Sequence, residues 1–180
     1  MTQAFTSRPR ARAVLATALT ATAALLFMPG LVPRAAATVI DVQCSGTFVR
    51  DFTPPVMTTA QPVAVTETDS YSLCVTGPAG TGTITTTLVL SCVNLTALPP
   101  QTETITWTGG QTSTITWATP VAAGQTVVFT GAVTAGPYQG DTAVKVTSGI
   151  SYLGTVLPCL LGSPISQTTG LDDSLTLTGT

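Results

Sequence analysis

From Thr38 onward the chain alternates between apolar and hydroxylated residues with a period of two, the spacing of a half-buried β-strand. The clearest run is Thr83–Val93, where Ile84, Thr86, Leu88, Leu90 and Cys92 share one face. A second, Gln125–Thr134, puts Val127, Phe129 and Val133 on one side. In Thr142–Ser148 the two valines, Val144 and Val146, predict the inner face, which turns Lys145 outward. Further strands are expected at Cys44–Asp51 and Pro62–Asp69, and at Ser174–Thr178 with Leu175 and Leu177 inward. Between the second and third runs, Gly136-Pro137-Tyr138-Gln139-Gly140-Asp141 is dense in turn formers.

The middle of the chain predicts a hairpin, because Thr104-Ile105-Thr106-Trp107 recurs as Thr114-Ile115-Thr116-Trp117 across Gly109-Gly110. A two-residue loop would place the tryptophans on opposite faces. A three-residue loop, Thr108-Gly109-Gly110, puts Ile105, Trp107, Ile115 and Trp117 on one face and the four threonines on the other. The segment Gly149–Thr169 reads as a loop, with one short strand near Tyr152–Val156. No stretch beyond residue 37 has helical periodicity. About a fifth of the chain is the β-branched residue threonine. About eight short strands with frequent turn signals indicate an all-β sandwich or barrel.

The first 37 residues follow different rules. Arg8, Arg10 and Arg12 precede an apolar run from Ala13 to Met28, then Pro29-Gly30, then Ala35-Ala36-Ala37. This is the three-part layout of a secretory signal peptide, expected to be helical and cut near Ala37. The apolar run is shorter than the roughly 20 residues that span a bilayer. The expected organisation is therefore a leader, 1–37, and one domain, 38–180, released outside the cell. Removing the leader removes four of six cations and leaves Arg50 and Lys145 against eight carboxylates, a net charge of −6. Two cations cannot neutralise a phosphate backbone or an anionic bilayer, so neither nucleic acid nor membrane is an expected partner of the cleaved protein.

Cys44, Cys74, Cys92 and Cys159 all lie beyond the leader. Four cysteines in an exported chain suggest two disulfides, and composition leaves three pairings open. Pairing neighbours in sequence, Cys44 with Cys74 and Cys92 with Cys159, is the favoured arrangement. A zinc site is not expected, since there is no histidine and no C-x-x-C spacing. No cofactor or metal is expected.

The absence of histidine excludes Ser-His-Asp and Cys-His catalysis. Lys145, the only lysine, reads as a solvated surface residue. Glu67, Asp69, Glu103, Asp141, Asp172 and Asp173 are the candidates for carboxylate chemistry. Glu67 and Asp69 share a strand face about 7 Å apart, a spacing compatible with an inverting glycosidase. The plainer reading, an acidic and solvated strand end, is preferred. Asp172-Asp173 lacks the D-x-D-x-D spacing of a calcium loop. Asn94-Leu95-Thr96 matches an N-glycosylation sequon and is read as chance. Trp107, Trp117 and Tyr138 are the candidate ligand-binding residues if the chain is a carbohydrate-binding module. The isoleucines beside the tryptophans favour core packing instead, and Tyr138, at a turn tip, is the better candidate for an exposed ring.

Cys44-Ser45-Gly46-Thr47, Trp107 followed by Gly110-Gln111-Thr112-Ser113, Gly131 to Gly136 leading to Gly140-Asp141-Thr142, and the late Cys159 carry a resemblance. Over most of residues 38–180 the chain resembles a group of small exported actinobacterial proteins, mostly uncharacterised. The resemblance implies an immunoglobulin-like antiparallel β-sandwich and no transferable activity. The enediyne-carrier apoproteins share the exported, two-disulfide plan, without their closely spaced cysteine pairs here. The resulting expectation is a secreted, non-catalytic protein that binds or builds at the extracellular or envelope level, with polysaccharide or another secreted protein as partner. A carbohydrate-binding module is the first alternative. A small-molecule carrier or protease inhibitor is the second.

Overall fold

The computed structural model describes residues 38–95, 98–149 and 152–179. The expected leader, 1–37, lies outside them. Nine strands follow in order: β1 (Val39–Val56), β2 (Gln61–Thr76), β3 (Gly80–Leu90), β4 (Gln101–Trp107), β5 (Thr112–Trp117), β6 (Val121–Ala123), β7 (Thr126–Ala135), β8 (Thr142–Ser148) and β9 (Ile165–Gly179). Sequence neighbours other than β5 and β6 pair antiparallel, β1 pairs with β9, and β5 pairs with β7. The ladder β1-β2-β3-β4-β5-β7-β8-β9 therefore returns to β1 and closes an eight-strand antiparallel barrel. β6 is a short flap on the first residues of β7.

The class expected from the sequence, all-β and antiparallel, is what forms. The immunoglobulin-like sandwich is not the arrangement seen. Alternation fixes which face of each strand is buried but not whether the last strand finds the first, and closure leaves no free edge in the barrel wall. The central hairpin has the expected loop: Gly110 N donates to Trp107 O at 2.9 Å and Trp107 N to Gln111 O at 2.8 Å. Both glycines sit at positive φ, 112° and 84°.

Both disulfides form as favoured. Cys44–Cys74 joins directly opposed residues of β1 and β2. Cys92–Cys159 ties the β3–β4 connection to a short helix, α1 (Leu157–Leu160). The strand expected near Tyr152–Val156 is instead a turn of π-helix running into α1. Pro158 near the start of that helix has no N–H to give to a ladder, but such a proton is not needed in a first helical turn.

Inside the barrel, apolar side chains form two separate clusters. One contains Val42, Cys44, Tyr71, Ile105, Trp107, Ile115, Trp117, Phe129, Leu175 and Leu177. The other contains Phe52, Val56, Val63, Val65, Leu90, Cys92, Cys159 and Ile165. Along β1 the inward positions run Val42, Cys44, Phe48, Arg50, Phe52. Along β2 they run Val63, Val65, Glu67, Asp69, Tyr71. In both strands charged residues occupy the middle, between the two apolar clusters.

Outside, the wall carries threonine. The cross-strand pairs Thr68–Thr83 and Thr83–Thr104 place exposed hydroxyls side by side on β2, β3 and β4, and Thr104 in turn pairs with the half-buried Thr114 of β5.

Candidate functional site

The charged belt is the chemically richest place in the molecule. Glu67, Asp69, Glu103, Asp172, Arg50 and Lys145 are all at most 4% exposed. Alternation on β2 makes Glu67 and Asp69 point the same way as Val63 and Val65, which is inward. β4 contributes Glu103, two residues before the buried Ile105. On β8 the inward set is Ala143, Lys145 and Thr147, while Val144 and Val146 are only half-buried. Asp172 enters through a bulge. Between it and Leu175 the β9 register shifts against both neighbouring strands, so Asp172, Leu175 and Leu177 all face inward and Asp173 faces out.

Lys145 Nζ lies 3.1 Å from Glu103 Oε2, 3.3 Å from Glu67 Oε1 and 3.4 Å from Asp69 Oδ1. The rings of Phe129 and Trp117 lie 5.1 and 5.6 Å from the same nitrogen. Arg50 Nε donates to Glu67 Oε2 at 2.6 Å, and its Nη2 pairs with the same oxygen. Tyr71 Oη donates to Glu103 Oε1 at 2.7 Å, and Trp117 Nε1 to Glu103 Oε2 at 2.8 Å. Glu103 thus accepts from an ammonium, a phenol and an indole. Gly82 makes room for it: a Cβ at that position would collide with the Glu103 carboxylate.

Two cations face four carboxylates, so the belt cannot be neutral with every acid ionised. Burial alone would raise Glu67, but Arg50 and Lys145 outweigh it and hold the carboxyl below its usual range. Burial alone would lower Lys145, but Glu103, Asp69 and Glu67 hold it above its ordinary value. Asp69 is raised well above the carboxylate range, first by burial and then by Glu103, Glu67 and Asp172 against the pull of Lys145. Asp172, similarly buried, is pushed up to about 7. Asp69 Oδ2 and both Asp172 oxygens are buried without a hydrogen-bond donor. A proton held on this pair supplies a donor between them and halves the excess charge.

The structure corrects several readings of the sequence. Lys145 is fully buried, not a surface lysine. Its two valine neighbours suggested the wrong inner face, because in a closed barrel the outer wall also tolerates valine. Glu67 and Asp69 are sealed inside and bonded to Lys145, not a solvated strand end. Asp173 is exposed and accepts a hydrogen bond from Ser148 Oγ at 3.1 Å. Trp107 and Trp117 are buried core residues, as the isoleucines beside them suggested. Trp107 Nε1 donates to Ser113 Oγ at 2.8 Å, and Ser113 Oγ to Pro137 O at 2.6 Å. Tyr138 is not a free ring at a turn tip. It packs edge-on against Trp107 with centroids 5.6 Å apart. Asn94 accepts from Ser91 N at 2.6 Å and donates to Val89 O at 3.1 Å, so its amide shapes the turn after β3.

Beside the belt, Phe48, Arg50, Leu98, Val127, Phe129 and Thr147 line a cavity of about 20 Å³. That is room for one water, whereas organic ligands occupy cavities of about 300–1,000 Å³. No group of three or more His, Cys, Asp or Glu residues poised for a metal occurs among the described residues. No protein-family model matches the chain, and neither a curated protein nor a solved structure shows significant similarity to it.

Proposed function

We propose that this chain is a secreted, non-catalytic β-barrel that acts through its outer surface, as a binding or structural component outside the cell. One observation carries the reading. The charged groups of the belt are committed to one another behind the wall, with Lys145, Asp69 and Glu103 having no exposed side-chain surface. Residues placed this way offset one another's charge and hold strands together, and the cavity beside Arg50 has room for one water. Two disulfides suit an oxidising compartment. We also propose kinship with the small exported actinobacterial proteins, on the residues given above.

Of the alternatives, the carbohydrate-binding module loses its main support. A carbohydrate platform needed exposed tryptophans, and both are buried. A carrier calls for a deep apolar cleft between sheet and loops, and the enclosed cavity beside the belt has room for one water. A protease inhibitor calls for an exposed loop beside a disulfide, and Leu160–Pro164, exposed directly after Cys159, keeps that reading as the second alternative.

The test separates inside from outside. Protein recovered from the culture medium is incubated with isolated cell envelopes, and saturable co-sedimentation is measured. Asp69→Asn and Asp172→Asn are expected to bind as the unaltered protein does, provided near-ultraviolet circular dichroism shows them folded. Loss of binding, or of any catalytic turnover, in a folded interior variant would contradict the proposal.

A further inference from the structure

A second acidic site lies at the rim of the barrel, away from the belt. Asp41 sits on β1 where the register against β9 shifts between Ile40 and Val42, so it is the extra residue of a bulge. Bulges re-aim side chains. Asp141 immediately precedes β8, whose first residue, Thr142, pairs with Thr178 of β9. Between them on β9 is Gly179. A Cβ there would stand 2.6 Å from Asp41 Oδ2 and 3.2 Å from Asp141 Oδ1. Two carboxylates from flanking strands thus converge over a position that carries no side chain.

Asp141 is 8% exposed, and its Oδ2 is buried with no hydrogen-bond partner. The two residues line an open depression with Val39, Gln139, Gly140 and Gly179. No side chain of residues 38–180 can supply a counter-charge, because the only two cations, Arg50 and Lys145, are spent inside the barrel. Burial raises Asp141, as do the charge of the facing Asp41 and a side-chain hydrogen bond with it.

We propose that Asp41 and Asp141, converging over Gly179 at the barrel rim, form a binding site for a calcium ion. The donors available are oxygens alone: two carboxylates, the Gln139 amide and the main chain of the turn. There is no histidine, and all four cysteines are in disulfides. Oxygen donors without nitrogen or thiolate select a hard cation, and an irregular set on a loop and a bulge suits calcium's flexible shell better than the strict octahedron of magnesium. Two carboxylates place the affinity at the weak end, with Kd about 10⁻⁴–10⁻³ M. Binding ties β1 to β8 across β9.

The test is calorimetric titration of the full chain, as its host produces it, with calcium chloride up to ~10 mM, above the weak end of that range, alongside its denaturation midpoint. One calcium per chain is expected, with a rise in the midpoint. Asp141→Asn is expected to abolish both responses and, without calcium, to be at least as stable as the unaltered protein, because a repulsion is gone. The stability order of the two therefore reverses when calcium is added. Gly179→Ala, which displaces the Asp41 carboxylate, is expected to weaken binding at least tenfold while the protein stays folded. Absence of a calcium response in the unaltered protein overturns the proposal, as does a response that survives in Asp141→Asn. An equal affinity for magnesium overturns the assignment to calcium.

Discussion

The molecule has two acidic clusters, and they solve the same electrostatic problem in opposite ways. Inside the barrel, four carboxylates are held by the only two cations of residues 38–180, together with a phenol, an indole and a retained proton. At the rim, Asp41 and Asp141 face each other without a cationic side chain. The difference follows from solvation. Buried charge must be neutralised by the protein's own groups, because water cannot reach it. A pair at the surface can take its counter-ion from solvent. A chain with so few cations has therefore placed both where nothing else could serve.

The sharpest way to break this comparison is to remove the interior cation. Lys145→Met keeps the volume but leaves Glu67, Asp69 and Glu103 short of a charge. Urea denaturation is expected to show a loss of about 3–5 kcal/mol, as for other broken buried pairs. A loss below about 1 kcal/mol, the scale of an exposed pair, would mean that Lys145 is solvated after all.

Asp172 gives a smaller effect with a distinctive pH dependence. Its carboxyl titrates near the ordinary aspartate value of about 4 in the unfolded chain and near about 7 in the fold. Between those values the fold holds a proton that the unfolded chain has released, so stability falls as pH rises through that window and levels off above it. Asp172→Asn, which offers an amide donor to Asp69, is expected to be more stable than the unaltered protein by about 4 kcal/mol at pH 8. The two are expected to be nearly equal at pH 4. The reverse order at pH 8 would place Asp172 in the ionised, stabilising role instead.

The smallest effect is expected outside. Thr104→Val exchanges one hydroxyl on an exposed, cross-paired position of β4, and its midpoint is expected to move by no more than about 0.5 kcal/mol. A larger loss would give the threonine wall a structural role equal to the interior.

The strands and the hairpin register were legible in the sequence, since period-two alternation and turn glycines encode them locally, whereas the disulfide pairing was a preference among three. Barrel closure was not, because the β5–β7 and β1–β9 ladders depend on strand geometry rather than residue type. The belt was half legible. On β2, Glu67 and Asp69 have the same parity as Val63, Val65 and Tyr71, opposite Thr66, Thr68 and Ser70, and that pattern marks them as inward. Lys145 was obscured by valines on both sides. Asp172 was hidden by the bulge that separates its parity from that of Leu175. The rim pair was invisible to sequence, because Asp41 and Asp141 lie a hundred residues apart and meet only through a register shift.

Lys145 is the chain's only lysine, so amine acetylation followed by peptide mass spectrometry tests the sealed belt directly. In the native protein Lys145 is expected to stay unmodified while the terminal amine reacts, and to become modified once the chain is unfolded and reduced. Acetylation of Lys145 in the native state as fast as in the unfolded chain would contradict the account.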